Sequence, residues 1–393
     1  VTFVPASGAT VVTNTFYLGG SGVYLKGTAS AGVAGPARTY NFRVNGEIYT
    51  SGLPSDFPTA PTPDHVTVEG IDANAIGIFS SKYVLYKNLD SGGRSTVSGC
   101  SRIDENGQSI PDTDESKVGA NSSFVVPTSI VLDGIYFHDT YRTSEGANNP
   151  PPVGPCHDGA LFLINANGLT IRNSVWSQNW VYNIQVQNFN GAQYPTNVIV
   201  ENNWFGCGVY GGDITNDPDG VTRCNGQSAI QFDAPTSNWL IRYNSTGPGT
   251  NLFGCYVGDC LPYTNVRVIG NVGEGPAGGE CTRGAIFSYN AFKSGPCSST
   301  DVAWNGSFVN TTVGAEDFHL ATGTSNANNL VVPTTFDYAL NFDIDGQART
   351  APRDAGADEY GGSTTPPPPT PTPTITLTAN PTSITSGSSS TLS

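Results

Sequence analysis

A short phrase that alternates apolar and polar residues returns along this chain and ends each time on Asn or Gly. It reads Leu169-Thr-Ile-Arg-Asn-Ser-Val-Trp176, then Val198-Ile-Val-Glu-Asn-Asn-Trp-Phe205, Leu240-Ile-Arg-Tyr-Asn-Ser245 and Val266-Arg-Val-Ile-Gly-Asn271. Fainter copies stand at Val84-Leu-Tyr-Lys-Asn88 and Val131-Leu-Asp-Gly-Ile-Tyr-Phe137. The spacing, roughly 25–40 residues, is that of a solenoid repeat. A strand this short cannot bury its apolar face alone, so the copies must stack on one another.

A second strand precedes most copies: Ala75-Ile-Gly-Ile-Phe79, Ala160-Leu-Phe-Leu-Ile164, Asn183-Ile-Gln-Val-Gln187, Ala229-Ile-Gln-Phe-Asp233 and Ala285-Ile-Phe-Ser-Tyr289. Strand side chains alternate between faces. One inward column is therefore Ile76, Leu161, Ile184, Ile230 and Ile286, and the next is Ile78, Leu163, Val186 and Phe232. The outward columns are Phe162, Gln185, Gln231 and Phe287, then Phe79, Ile164, Gln187, Asp233 and Tyr289. Two or three such strands per turn, stacked coil on coil, predict an all-β chain: a parallel β-helix. Asn173, Asn202, Asn244 and Asn271 at the turns are expected to stack and hydrogen-bond along its axis.

Residues 1–64 read as an N-terminal cap of strands and loops, and residues 65–362 as the solenoid with a C-terminal coil. Insertions rich in Gly, Pro, Asn and Asp, at about 90–128, 140–156, 188–196 and 207–227, are surface loops. A Pro/Thr-rich linker occupies 363–374 and is stiff and extended. Residues 375–393 alternate again from Ile375 to Ile384, too briefly for a domain. With no visible partner, this segment is expected to donate a strand to a neighbouring copy, head to tail.

Composition narrows the options. Only 12% of residues are charged, about half the usual share. Asn, Ser and Thr supply the polarity, and they favour turns and ladders over helices. The net charge of −15 argues against nucleic acid and anionic lipid as partners. No apolar run reaches the ~20 residues of a membrane helix. The chain starts at Val1 and lacks Met, which reads as a processed, secreted form. Of the sequons at Asn121, Asn244, Asn305 and Asn310, several are expected by chance in such a composition.

The eight cysteines are even in number and form no CxxC pair, against zinc and for disulfides in an oxidising compartment. Local pairing gives Cys100–Cys156, Cys207–Cys224, Cys255–Cys260 and Cys281–Cys297, each closing a loop.

These residues resemble the secreted bacterial right-handed parallel β-helix proteins. The resemblance rests on His157-Asp-Gly159 and on the Asn-ended phrases beginning at Leu169, Val198 and Leu240. Asp317-Phe-His-Leu320, Asp343-Ile-Asp-Gly-Gln-Ala-Arg349 and Asp354-Ala-Gly-Ala-Asp-Glu-Tyr360 are similar to the C-terminal coil of many surface proteins of that class. Residues 375–393 look like the first strands of a bacterial Ig-like domain. The resemblance implies a right-handed solenoid outside the cell or on its surface. It leaves two functions open: a structural or filament-forming component with affinity for glycans, or a polysaccharide lyase or glycoside hydrolase.

The candidate chemistry is sparse. His157-Asp158 offers an acid/base pair, or a turn in which Asp158 caps backbone N–H groups. His138-Asp139 sits on an adjacent coil by the same reading. Asp158 with Asp233 could supply the two carboxylates of a glycosidase. Phe162, Phe287 and Tyr289, with Gln185 and Gln231, form a candidate sugar platform. Arg172 and Arg242 hold equivalent places in their repeats and suit a structural ladder better than a lyase site. No cofactor is implied. Asp343-Ile-Asp-Gly346 and the loop 213–219, with Asn216 and Asp217, begin like calcium loops, and turn capping is the competing reading.

Overall fold

A computed structural model describes residues 1–13, 15–50, 62–95, 101–103, 109–111, 116–119, 125–142, 159–177, 179–180, 182–187, 193–206, 208–209, 227–255, 260, 262–361, 379–380 and 391–392. Ten parallel strands, from Thr2–Phe3 to Ile286–Ser288, form one sheet, here sheet A. A second parallel sheet, sheet B, has two stacks joined by the longer strands Phe42–Thr50 and Asp72–Ile78. A typical coil runs Gly159–Leu163 in sheet B, Asn167–Arg172 in sheet A, then Val175–Ser177 back in sheet B. The molecule is a parallel β-helix. Thr2–Phe3 and Tyr24–Lys26 lie in sheet A, so the first residues extend the stack itself.

The alternating pattern fills the interior. Val84, Ile130, Leu169, Val198, Trp239 and Val266 are in register on successive strands of sheet A and all are buried. In sheet B the buried column contains Ile76, Leu161, Ile184 and Ile230, beside Ile78, Leu163, Val186 and Phe232. The expected last member breaks this register. Ile286 is 55% exposed and Phe287 is buried, because their strand belongs to sheet A, where Phe287 stacks on Val268. The repeat spacing shortens at this coil, and the single-residue slip exchanges the faces.

Two columns carry the turn that leaves sheet A. The first sits in the left-handed region: Asn88, Gly134, Asn173, Asn202, Tyr243, Gly270 and Tyr289, which explains the preference for Asn or Gly there. The second is a buried ladder. The backbone N–H groups of Ser174, Asn203, Asn244 and Asn271 donate to the side-chain oxygens of Asn203, Asn244, Asn271 and Asn290 at 2.9–3.1 Å. Asp301 accepts from the Asn290 N–H at 2.8 Å and closes the series. Asn244 and Asn271 are therefore ladder members, whereas Asn173 and Asn202 belong to the first column, where Asn202 donates to Asn173 and Asn173 to Asp133. The sequon at Asn244 is fully buried within the ladder, which closes it to glycosylation.

Beside these turns the strand ends alternate in charge: Glu69, Lys87, Asp133, Arg172, Glu201 and Arg242 are in register on successive coils. Arg172 meets Asp133 at 2.9 Å, and Arg242 meets Glu201 at 2.6 Å with both side chains buried. Opposite charges one coil apart, about 4.8 Å, thus tie two pairs of adjacent coils.

Residues 305–361 stop coiling. They form a strap that runs back along the turn columns instead of a further coil. Phe308–Asn310 pairs with Asp317–Leu320 antiparallel. Phe308, Phe318, Ile344, Ala355 and Ala357 pack with Val175, Trp204, Val272 and Ala291. Arg242 donates to the carbonyls of Phe336, Asp337 and Ala339, and Arg349 donates to Asn202 and lies over the Tyr243 ring at 4.8 Å. Gly356 has φ 99°, and a Cβ there would stand 2.4 Å from Val272 Cγ1; only Gly lets the strap lie this close.

Cys255–Cys260 and Cys281–Cys297 are disulfides, as the local pairing predicts. Cys100, Cys156, Cys207 and Cys224 lie outside the described residues. In the tail, Ala379–Asn380 pairs antiparallel with Thr391–Leu392 of the same chain. Part of the segment expected to lack a partner thus has an intramolecular one. No helix among the described residues is long and apolar enough to cross a membrane.

Candidate functional site

The outer face of sheet B assembles four of the predicted residues. Phe162, Gln185 and Gln231 are in register on three successive coils. They alternate with Leu161, Leu163, Ile184, Val186, Ile230 and Phe232, all in the core, and so point away from it. They are nonetheless sheltered, at 7%, 3% and 5% exposure. Asp233 follows the strand and accepts from both amides: Gln185 Nε2 on Oδ2 at 2.9 Å and Gln231 Nε2 on Oδ1 at 3.2 Å. A carboxylate only accepts, so this contact fixes both amides with nitrogen toward Asp233. Gln185 Oε1 is buried and has no hydrogen-bond partner. Further along the same face Tyr17, Tyr49 and Phe79 form a ring stack, with centroids 5.2 and 5.9 Å apart.

The remaining predicted residues do not join this face. Phe287 is in the core. Tyr289 occupies the left-handed turn after its strand and meets Tyr338 edge-on. His157 and Asp158 lie outside the described residues, as does the 213–219 loop apart from its sequence. The Asp139 side chain is likewise not described.

His138 is at a different place, the corner between the sheets. Its Nε2 lies 2.6 Å from Asp90 Oδ1, and its ring stacks on Tyr136 at 4.2 Å. Asp72 is the register partner of Asp90 on the preceding coil, and Arg43 approaches it at 3.6 Å. Burial and then the neighbouring Asp90 charge raise the Asp72 pKa, against Arg43 and His138. The Tyr40 hydroxyl feels the charge of both carboxylates, and burial and then Asp90 hold it protonated. The chain thus brings an Asp whose pKa is raised next to one that an imidazole engages. Asp72 and Asp90 escaped sequence analysis although each follows the turn by the same offset, in Gly70-Ile71-Asp72 and Asn88-Leu89-Asp90.

A third cluster lies in the strap. His319 contacts Asp317 through Nδ1 and Asp345 through Nε2 at 2.5 Å. Asp358 stands close by, so that His319, Asp345 and Asp358 could bring ligand atoms to one cation. Burial alone would lower the His319 pKa, but Asp345, Asp317 and Asp358 outweigh it and push it up to about 9. His319 is thus the cation of this cluster at neutral pH. Its ring also meets Trp204 edge-on at 4.9 Å, docking the strap to the solenoid. Asp343 accepts from the backbone N–H groups of Asp345, Gln347 and Glu359, which is turn capping. Burial pushes its pKa up to about 6.

Against known proteins, the chain matches no family model and no curated protein sequence.

Proposed function

We propose that this chain is an extracellular structural β-helix displayed at a cell surface. The observation that carries the reading is the continuous bracing of the solenoid. An asparagine ladder, an alternating charge ladder and the strap each cross many coils. Such a rod keeps its shape without a partner, which suits display of the lateral faces. The two disulfides and the likeness to secreted β-helix surface proteins support an oxidising, extracellular setting. The pairing of Ala379–Asn380 within the chain leaves less of the tail available as a strand donor. Immunogold labelling of intact source cells tests the proposal. Label on the cell exterior is expected, as single rods or as fibres; label confined to the cell interior overturns it.

The corner of Asp72, Asp90 and His138 favours a second reading, glycan cleavage by the paired carboxyl groups of Asp72 and Asp90 on adjacent coils, with His138 engaging Asp90. Release of reducing ends from polysaccharides, abolished by Asp72→Asn at unchanged melting temperature, would establish it. No release from neutral or acidic glycans ends it.

A further inference from the structure

We propose that His319, Asp345 and Asp358 in the strap bind one divalent transition-metal ion, zinc in the first instance, and that Asp317 orients the imidazole for it. The proposal goes beyond the surface-display reading and does not depend on it.

Among the described residues, one group of His and Asp side chains brings three ligand atoms within 4.8 Å of one another, and it is this one. The three come from separate segments of the strap. His319 belongs to the strand Asp317–Leu320, Asp345 to the turn that Asp343 caps, and Asp358 to the residues just before Tyr360. Ligand atoms bound at about 2.0–2.2 Å from zinc stand about 3–3.6 Å apart. His319 Nε2 and Asp345 Oδ2 are already 2.5 Å apart, so a shift of about 1 Å between them admits the ion.

The imidazole is set up as a ligand. A metal-bound His donates its second ring N–H to a carboxylate or carbonyl, which fixes the tautomer and the ring plane. Asp317 fills that role: it contacts Nδ1 and also accepts from the His319 backbone N–H at 3.2 Å. Nε2 is thereby left for the ion. Asp358 Oδ2 accepts from the Leu320 backbone N–H at 2.9 Å, which holds this carboxylate beside the imidazole. Asp358 is buried, whereas the His319 and Asp345 side chains are 30% and 24% exposed. The ion thus has a fixed floor and a way in from solvent.

A second observation lies on the solenoid side. Trp204 is 4% exposed, its indole N–H has no hydrogen-bond partner, and its ring meets His319 edge-on at 4.9 Å. An indole nitrogen only donates. A zinc ion held by three protein ligands carries a water or an anion in its fourth place, and that group offers an acceptor beside the buried donor.

Charge and donor type select the ion. Asp317, Asp345 and Asp358 set three carboxylates around one imidazole, and an imidazolium balances only one of them. A divalent ion displaces the Nε2 proton to solvent and brings a second positive charge. Imidazole with carboxylate suits zinc and its neighbours, whereas calcium takes oxygen ligands. Bound there, the ion ties the three strap segments to one another where they meet Trp204.

Isothermal titration of zinc chloride into the EDTA-stripped, dialysed full chain tests this. Binding with micromolar Kd or tighter is expected, with a rise in melting temperature that calcium at the same concentration does not give. His319→Gln and Asp345→Asn, each shown to be folded by circular dichroism, should weaken zinc binding about tenfold or more, and His138→Gln should leave it unchanged. Absence of binding at micromolar zinc overturns the proposal, as do equal affinity for calcium and binding that both folded variants retain. If either variant fails to fold, zinc-edge anomalous diffraction from the wild-type chain decides. A peak about 2.0–2.1 Å from His319 Nε2 is then expected, and peaks elsewhere only overturn the proposal.

Discussion

The two ends of the solenoid are finished differently. At the N-terminal end Phe3 occupies an inward position, paired with buried Leu25, yet 47% of it is exposed. Val11 and Phe16, the inward residues of the first strands of sheet B, are only partly buried as well. At the other end Phe287 and Phe292 are buried, Asp301 closes the asparagine ladder, Cys281–Cys297 ties the last loop, and the strap covers the turn columns. The same stacking rule yields an interior at one end and a half-open surface at the other. What differs is whether something crosses the coils from outside. The braced half is expected to be the cooperative unit, and the first coils are expected to open at lower cost.

The sharpest break in that comparison is a charge at the centre. Ile230 is fully buried, so Ile230→Asp should abolish the folded state, because nothing beside it can pair the carboxylate. Loss of the β-type circular dichroism and of soluble protein would show this. Gln231→Ala, one residue along and on the opposite face, should fold. An Ile230→Asp protein of native melting temperature would mean that the assigned register is wrong.

Next in size is the buried ion pair. Arg242→Met leaves Glu201, 7% exposed at its side chain, without its partner, and removes three contacts to strap carbonyls. A loss of about 3–5 kcal/mol is expected in urea unfolding. Adding Glu201→Leu should restore much of it, since the unpaired charge is then gone while the strap contacts remain lost. If the single variant loses under 1 kcal/mol, the ladder is ornament and the bracing account fails.

Much of this architecture was legible in the sequence, for a physical reason. Period-two alternation and a left-handed turn residue are local requirements, and each copy must meet them separately. Hence the columns from Ile76 to Ile230 were readable, as were the paired roles of Arg172 and Arg242 and two of the disulfides. Legibility failed where the repeat shortened, at Ile286, and where contacts are distant in sequence. The strap is an example: Arg349 reaches Asn202 across 147 positions, and no local spacing announces that. The candidate sites divide in the same way. Gln185, Gln231 and Asp233 share a face because alternation puts them there, whereas Asp72 and Asp90 required the faint early copies to be aligned.

A smaller effect comes from pH and concerns the strap alone. His319 titrates at about 9 when folded and at about 6.5 when unfolded. The folded state therefore favours the charged imidazole. Its stabilisation is complete below pH ~6.5 and is lost as pH rises through about 9. Melting temperature should fall between pH 7 and 10, and His319→Gln should flatten that fall. Asp343, raised to about 6 by burial, is likewise pulled toward its protonated form by folding. Acidification from pH 7 toward 4 should relieve its cost, and Asp343→Asn should remove that gain. A fall on the alkaline side that persists in His319→Gln would assign it to other groups.

The smallest expected effect is the most diagnostic of the comparison. Burying a whole Phe side chain is worth about 1.5–3 kcal/mol, and Phe3 is only half covered. Phe3→Ser should therefore cost about 1 kcal/mol. Its effect should also be local, since the Thr2–Phe3 strand pairs on one side only, with Tyr24–Lys26. Hydrogen exchange can resolve this. In the native protein, amides of the first two strands of sheet A should exchange ahead of those in Thr196–Glu201 and Ser237–Arg242, where a neighbour lies on each side. Phe3→Ser should speed the first group severalfold and leave the second unchanged. If instead all coils exchange together and the substitution slows or speeds them as one, the solenoid is a single cooperative unit from Val1 onward. The strap and ladders would then brace the whole rod, and the contrast between its ends would be one of appearance only.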